Sequence, residues 1–100
     1  KAGRFVKASI ESVTAAAAGA AMPKDYRVSI TDAGGETAYP ISTFTWLLIY
    51  EKNTADKGAV LKDFLRWMLK DGQGMAAALG YAPLPESVNA MVAKTIEGIK

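Results

Sequence analysis

Apolar positions at helical spacing predict a helix near the start of the chain, from about Ser9 to Ala18. Ser9 is a suitable N-cap, and the negative charge of Glu11 suits the positive end of the helix dipole. Gly19 is a plausible terminator. The apolar face of this helix consists of Ile10, Val13 and Ala17. We therefore expect a short helix with small side chains that packs closely against a neighbour.

The second half of the chain carries the strongest amphipathic pattern. Apolar residues recur as pairs four positions apart and form one stripe, which we expect to pack in a core: Val60, Leu61, Phe64, Leu65, Met68 and Leu69. Gly72 should end this helix. Residues 74–79 predict a short helix capped by Gly80, and Pro85 suits the first turn of a last helix.

Two segments between these helices predict strands. Tyr26, Val28 and Ile30 alternate with polar residues, which is the period of a half-buried strand, and a turn should follow at residues 32–36. Residues 46–50 form a continuous apolar run of strand length, as in a central strand covered on both faces. Two strands do not make a stable sheet. The pattern therefore indicates part of a larger α/β fold.

Composition limits the chemistry. Among 100 residues there is no cysteine and no histidine, which excludes thiolate nucleophiles, zinc fingers and the Ser-His-Asp triad. The carboxylates are scattered and predict neither an acid–base pair nor a metal site. Charges of both signs are mixed and sum to +2, so no nucleic-acid-binding stripe is predicted. Hydroxyls of Ser42, Thr43 and Thr45 could reach an oxyanion.

Five segments carry a more specific signal. They are Phe5 to Ala18, Ala38 to Ile49 (AYPISTFTWLLI), Lys57-Gly58 followed by DFLRW at 63–67, DGQ at 71–73, and LGYAPLP at 79–85. In this order and spacing they resemble the C-terminal part of the phosphate-binding proteins of the high-affinity phosphate ABC transporter, the PstS family. The resemblance covers nearly the whole chain.

The resemblance implies a type II periplasmic-binding-protein-like α/β fold with two lobes, of which this chain is the C-terminal part and which is incomplete alone. Residues 1–42 would end the second lobe and residues 43–100 would complete the first. The hinge would be the crossover, which consists of Tyr39, Pro40, Ile41, Ser42, Thr43, Phe44 and Thr45.

The resemblance also implies a function and its partners. The protein would be a periplasmic or cell-surface component of an importer, not an enzyme, without a cofactor. It would bind inorganic phosphate and a membrane permease, and the N-terminal remainder of the same protein would complete it. The segments through which the family holds phosphate have no counterpart here. No ligand is therefore assigned by motif, and Ser42 and Thr43 are the only cleft candidates.

Three other hypotheses fit the same residues. A secreted phosphatase on the same fold would have a similar C-terminal scaffold. A binding protein for another oxyanion, such as sulfate or molybdate, would differ in segments that this chain does not contain. A stand-alone interaction domain would be a monomer that folds cooperatively.

Overall fold

A computed structural model describes residues 2–100, and they form an elongated, helical structure. Its principal extents are 51 × 28 × 17 Å and its radius of gyration is 15.0 Å, compared with about 13 Å for a compact domain of this length. The accessible surface is 7405 Å², whereas a compact protein of the same mass exposes about 5,500 Å². By itself, therefore, the chain leaves much of its surface unpacked.

Helix α1 spans Ile10–Ala18 and confirms the first predicted helix. The Ser9 hydroxyl accepts a hydrogen bond from the backbone N–H of Ser12, and the Ser12 hydroxyl accepts one from the backbone N–H of Ser9. This reciprocal capping box satisfies N–H groups that a helix start otherwise leaves unpaired. Gly19 caps the carboxyl end, as predicted.

Helix α1 packs its small residues around a single large side chain. Ile30 is 2% exposed and contacts a cluster formed by Ala16, Ala17 and Ala38, with Phe44 packed partly against it. Burial along residues 26–31 alternates as the sequence predicts, since Tyr26, Val28 and Ile30 are less exposed than the polar residues between them. The alternation therefore identified the buried side of this segment.

The two predicted strands are not strands in the structure: residues 2–100 contain none, so the prediction was wrong for these segments. Residues 26–32 nevertheless run antiparallel to residues 40–46. The Asp32 N–H donates to the Pro40 carbonyl at 2.7 Å, the Thr31 hydroxyl donates to the Ser42 carbonyl at 3.5 Å, and the Trp46 indole N–H donates to the Tyr26 carbonyl at 3.0 Å. Only the first joins two backbone groups, and a β-ladder needs a regular series of such bonds.

Helix α2 spans Ala55–Leu69 and packs against helix α4, which spans Glu86–Glu97. Leu65 of α2 and Val88 and Ile96 of α4 are buried. The rest of the predicted stripe on α2 is less covered, because Val60 is 70% and Phe64 is 54% exposed. The amphipathic face was predicted correctly, but within this chain only part of it finds a packing partner.

A short helix and a loop join α2 to α4. Helix α3 spans Gln73–Ala76, a 3₁₀ turn spans Ala77–Leu79, and Gly80 ends it at φ 79°, a left-handed conformation that favours glycine. The Gln73 side chain fixes the loop: its amide N–H donates to the Met68 carbonyl and its oxygen accepts from the Leu84 N–H at 2.7 Å. This side chain links two of the resembling segments, DGQ at 71–73 and LGYAPLP at 79–85, and ties both to Met68 near the end of α2.

An ion pair also joins α2 to α4. The Arg66 guanidinium donates to both carboxylate oxygens of Glu97, at 3.0 and 2.8 Å, and to Asp63 at 3.2 Å. The hydrogen bonds from Arg66 to Glu97, and then the positive charge of Arg66, lower the pKa of Glu97. The hydrogen bonds and negative charges of Glu97 and, to a smaller extent, Asp63 raise the pKa of Arg66. Both side chains are about half exposed, so salt should screen the pair.

Acid is expected to weaken this link. Because the pKa of Glu97 is lower in the folded chain, its contribution to stability is present above its ordinary value of 4.5 and is lost as pH falls through the folded pKa. Glu97→Gln should therefore reduce the loss of thermal stability between pH 5 and the acid limit. Glu86→Gln, on the same helix outside the ion pair, is the control. Equal pH profiles for Glu97→Gln and the unmodified chain would contradict this prediction.

Candidate functional site

The backbone of the crossover, residues 39–45, is hydrogen-bonded to earlier residues in its first half only. The Tyr39 N–H donates to the Ser12 carbonyl of α1 at 2.9 Å, and the Pro40 carbonyl accepts from Asp32 at 2.7 Å. From Thr43 to Tyr50, no backbone N–H donates a hydrogen bond to any residue in the described part of the chain. The backbone of the first half is thus hydrogen-bonded to residues before position 42, whereas the second half is held there only through the Phe44 side chain, which packs partly against the cluster on α1.

Ser42 lies at the point where the attachment changes. It is 6% exposed, and its hydroxyl donates to the Tyr39 carbonyl at 2.8 Å. An oxyanion needs a hydrogen-bond donor, and the single O–H of this serine is already used within the turn. The structure therefore gives Ser42 a local structural role, and direct contact with a ligand remains an untested prediction.

Thr43 has a different environment from Ser42. It is exposed, and its hydroxyl donates to the Phe44 carbonyl at 3.2 Å. The next ring, Phe44, meets Trp46 edge to face, with centroids 6.3 Å apart. Thr43 is the one cleft candidate whose side chain lies beside open space.

That space is a cavity of about 480 Å³, which we call the crossover groove. It lies between the start of α1, residues 43–45 of the crossover and the loop at residues 80–85. No charged side chain lines it, and its polar side chains are the hydroxyls of Ser9, Thr43, Thr45 and Tyr81. The groove thus joins residues of the predicted units 1–42 and 43–100; Lys1 lies outside the described residues. The division itself stays a prediction.

The amino end of α1 borders the groove but does not offer a free anion site. The pKa of the Glu11 carboxyl is lowered by its interaction with its own backbone N–H and, to a smaller extent, with the Ser9 side chain. A negative charge therefore already occupies the positive end of the helix dipole. Within residues 2–100, no cluster of three or more acidic side chains could hold a metal ion.

Sequence reasoning missed two parts of this region. The loop at residues 80–85 was predicted as the link between the short helix capped by Gly80 and the last helix, but not as one wall of the crossover groove, which it forms. The Tyr26 hydroxyl donates to the Met91 carbonyl of α4 at 3.0 Å and contacts the Thr95 hydroxyl, which joins the two halves of the chain. The sequence feature that could have indicated the loop as a groove wall is its two prolines near a tyrosine. No sequence feature predicts the hydrogen bond between Tyr26 and α4.

Comparison with known proteins places the chain among much longer relatives. It is 40% identical over 91 residues to the "Phosphate-binding protein PstS" of Xylella fastidiosa, and this match covers 87% of the chain and 25% of the relative. Proteins of the same name from Methanocaldococcus jannaschii and Pasteurella multocida are 37% and 38% identical, over 100% and 88% of the chain. The chain spans between 25% and 29% of the length of these three relatives.

No protein-family model and no solved structure matches the chain. Among the described residues, no helix has both the length and the hydrophobicity required to cross a bilayer.

Proposed function

Because this chain belongs to the PstS family of phosphate-binding proteins and corresponds to its C-terminal part, we propose that it is the scaffold and hinge of a protein that binds inorganic phosphate. The observation that carries this proposal is the match over most of the chain, at 35–40% identity, to relatives that are all named phosphate-binding proteins.

The whole protein would have the two-lobed α/β fold of a type II periplasmic-binding-protein, with phosphate in the cleft between the lobes. Lobes joined by extended crossovers close around a ligand by hinge bending. The change of attachment between Ser42 and Thr43 supports a flexing point there, since the backbone is anchored to α1 on one side only. The segments predicted as strands would then gain their partners from the rest of the protein.

The phosphate ligands would lie outside this chain. The crossover groove is uncharged, the Ser42 hydroxyl is used locally, and the Glu11 carboxylate occupies the start of α1. Each of these three features disfavours binding of a desolvated anion in or beside the crossover groove. The protein would act in the periplasm or at the cell surface as the solute-binding component of an ABC importer, delivering phosphate to a membrane permease without catalysing a reaction.

Calorimetric titration tests this proposal. Phosphate titrated into the complete protein should bind with one-to-one stoichiometry, whereas phosphate titrated into the 100-residue chain should give no binding heat. Sulfate and molybdate titrations decide between phosphate and another oxyanion. Hydrolysis of a chromogenic phosphate ester by the complete protein would instead support the phosphatase hypothesis.

Stoichiometric binding to the chain alone would overturn the proposed division of roles. Thr43→Val and Ser42→Ala would then be the informative variants, because Thr43 lines the crossover groove and Ser42 does not. Loss of binding in Thr43→Val only would place the ligand in the groove.

A further inference from the structure

Tyr26 is hydrogen-bonded at both of its ends, to residues that lie far apart in the sequence. Its backbone carbonyl accepts a hydrogen bond from the Trp46 indole N–H at 3.0 Å. Its hydroxyl donates to the Met91 carbonyl of α4 at 3.0 Å and also contacts the Thr95 hydroxyl. One residue thus connects the segment directly after the crossover with helix α4.

The backbone of Tyr26 has a conformation that tyrosine rarely adopts. Its φ is 60°, in the left-handed region, where crowding at the Cβ atom disfavours a bulky residue. A tight turn accompanies this geometry, since the Tyr26 N–H donates to the Pro23 carbonyl at 3.1 Å. Glycine or asparagine would adopt such a backbone with less strain. Strain of this kind persists where surrounding contacts offset it, and the hydrogen bonds at the carbonyl and the hydroxyl of Tyr26 are such contacts.

These hydrogen bonds cross the predicted boundary between the two units. Tyr26 lies in residues 1–42, whereas its three partners all lie in residues 43–100. The Phe44 side chain also crosses the boundary, by packing on the alanine cluster, but apolar packing has no preferred direction. Hydrogen bonds at opposite ends of one residue restrict rotation as well as separation, because each has a preferred distance and angle. Tyr26 is therefore placed to fix the orientation of one unit against the other.

The strength of this contact suits a hinge that has to move. Its donors and acceptors are hydroxyl, carbonyl and indole groups. A hydrogen bond between neutral groups contributes a factor of about two to ten to an equilibrium constant in a folded protein. A factor of this size favours one of two positions of a hinge without locking it.

We propose that Tyr26 is the latch of the hinge, a positioning residue whose hydroxyl holds α4 against residues 1–42 in one position of the two units and releases it in the other. Bending at the crossover turns residues 1–42 relative to residues 43–100, and the hydroxyl then separates from Met91 and Thr95. Removal of the hydroxyl shifts the balance between the two positions and, through it, the affinity for the ligand. This inference rests on the proposed function, to which the two units and the hinge belong.

Calorimetric titration of inorganic phosphate into the complete protein tests the latch with Tyr26→Phe, which removes the hydroxyl and keeps the ring. The dissociation constant should change by about two- to tenfold, the contribution of one neutral hydrogen bond. Thr95→Val, which removes the partner hydroxyl, should shift the dissociation constant in the same direction. The double variant should shift it no further than the larger single effect, because both substitutions remove the same contact.

Two control variants carry the same chemical changes elsewhere. Thr14→Val removes a hydroxyl that donates to the carbonyl four residues earlier in α1, at 2.8 Å, as the Thr95 hydroxyl does in α4, at 3.2 Å. It therefore reproduces the loss of an intrahelical bond without the loss of the latch. Tyr50→Phe removes the same phenolic hydroxyl from a side chain that is 84% exposed. Neither control should change the affinity for phosphate.

Hydrogen exchange of the complete protein without phosphate separates the latch from the proposed function. In Tyr26→Phe the amides of α4 at residues 91–95 should exchange faster, whereas in Tyr50→Phe they should not. Unchanged exchange there, an unchanged dissociation constant in Tyr26→Phe, or equal shifts in the controls would overturn the inference. If the unmodified protein binds no phosphate, the proposed function fails, and faster exchange in α4 would still support the contact that the Tyr26 hydroxyl makes.

Discussion

Ile30→Ala is expected to destabilise the chain by about 2–5 kcal/mol, the largest effect of any truncation to alanine. Ile30 is the one large side chain that is fully buried among the described residues, at 2% exposure. It fills the space between α1, through Ala16 and Ala17, and the turn that carries Ala38. Its buried neighbours are alanines, which cannot expand into the space that the substitution would leave, and Phe44 packs against the cluster only in part.

Urea unfolding followed by circular dichroism measures this loss. Ile41→Ala is the control, because Ile41 is 77% exposed and its truncation should change the free energy of unfolding by less than about 0.5 kcal/mol. Equal effects of the two substitutions would show that the alanine-rich cluster is not the core of this half of the chain.

The helices could be predicted because their signals are local. The capping box of α1 lies within Ser9–Ser12, the left-handed end of the 3₁₀ turn lies at Gly80, and α4 begins directly after Pro85. Each signal acts within about one turn of the residues that it orders. The sequence therefore placed these boundaries without knowledge of the rest of the molecule.

The two strands could not be predicted in the same way, because a strand forms only when another segment pairs with it, and the hydrophobic pattern does not identify that segment. Val28 and Ile30 alternate correctly with their polar neighbours, yet the segment has no ladder. Residues 46–50 have the composition of a central strand and remain exposed. The relatives are about four times as long as the chain.

The candidate site illustrates another limit of sequence reasoning. Ser42 and Thr43 are adjacent hydroxyl residues, and the sequence predicts both equally as ligand candidates. The structure shows that their environments differ. The Ser42 hydroxyl is buried and donates to a carbonyl three residues earlier, whereas the Thr43 hydroxyl donates to the next carbonyl and its side chain lines the crossover groove. The direction of a hydroxyl depends on local backbone geometry, and the sequence did not reveal it here. In the same way, the DGQ segment does not predict that the Gln73 side chain accepts a hydrogen bond from the Leu84 N–H.

Gly72→Ala is expected to destabilise the chain by about 1–3 kcal/mol, the cost of overpacking a filled site. The backbone of Gly72 has φ −61° and ψ −32°, which alanine adopts easily, so conformational strain is not the cause. Space is the cause: a Cβ atom here would lie 2.8 Å from the Met68 Cα and 2.9 Å from the Met68 carbonyl oxygen. Because both are backbone atoms, the end of α2 must shift to make room.

Gly74→Ala is the matched control, two residues away in α3. A Cβ atom at Gly74 meets nothing within 4 Å, so alanine should raise stability by about 0.4–1 kcal/mol through a less flexible unfolded chain. The two substitutions add the same methyl group and should have opposite signs in urea unfolding. If both stabilise, the turn after α2 has room that this structure does not show. If both destabilise, α3 is under constraints beyond its local geometry. The expected opposition would establish that close backbone approach, and not turn flexibility, requires the glycine of the DGQ segment.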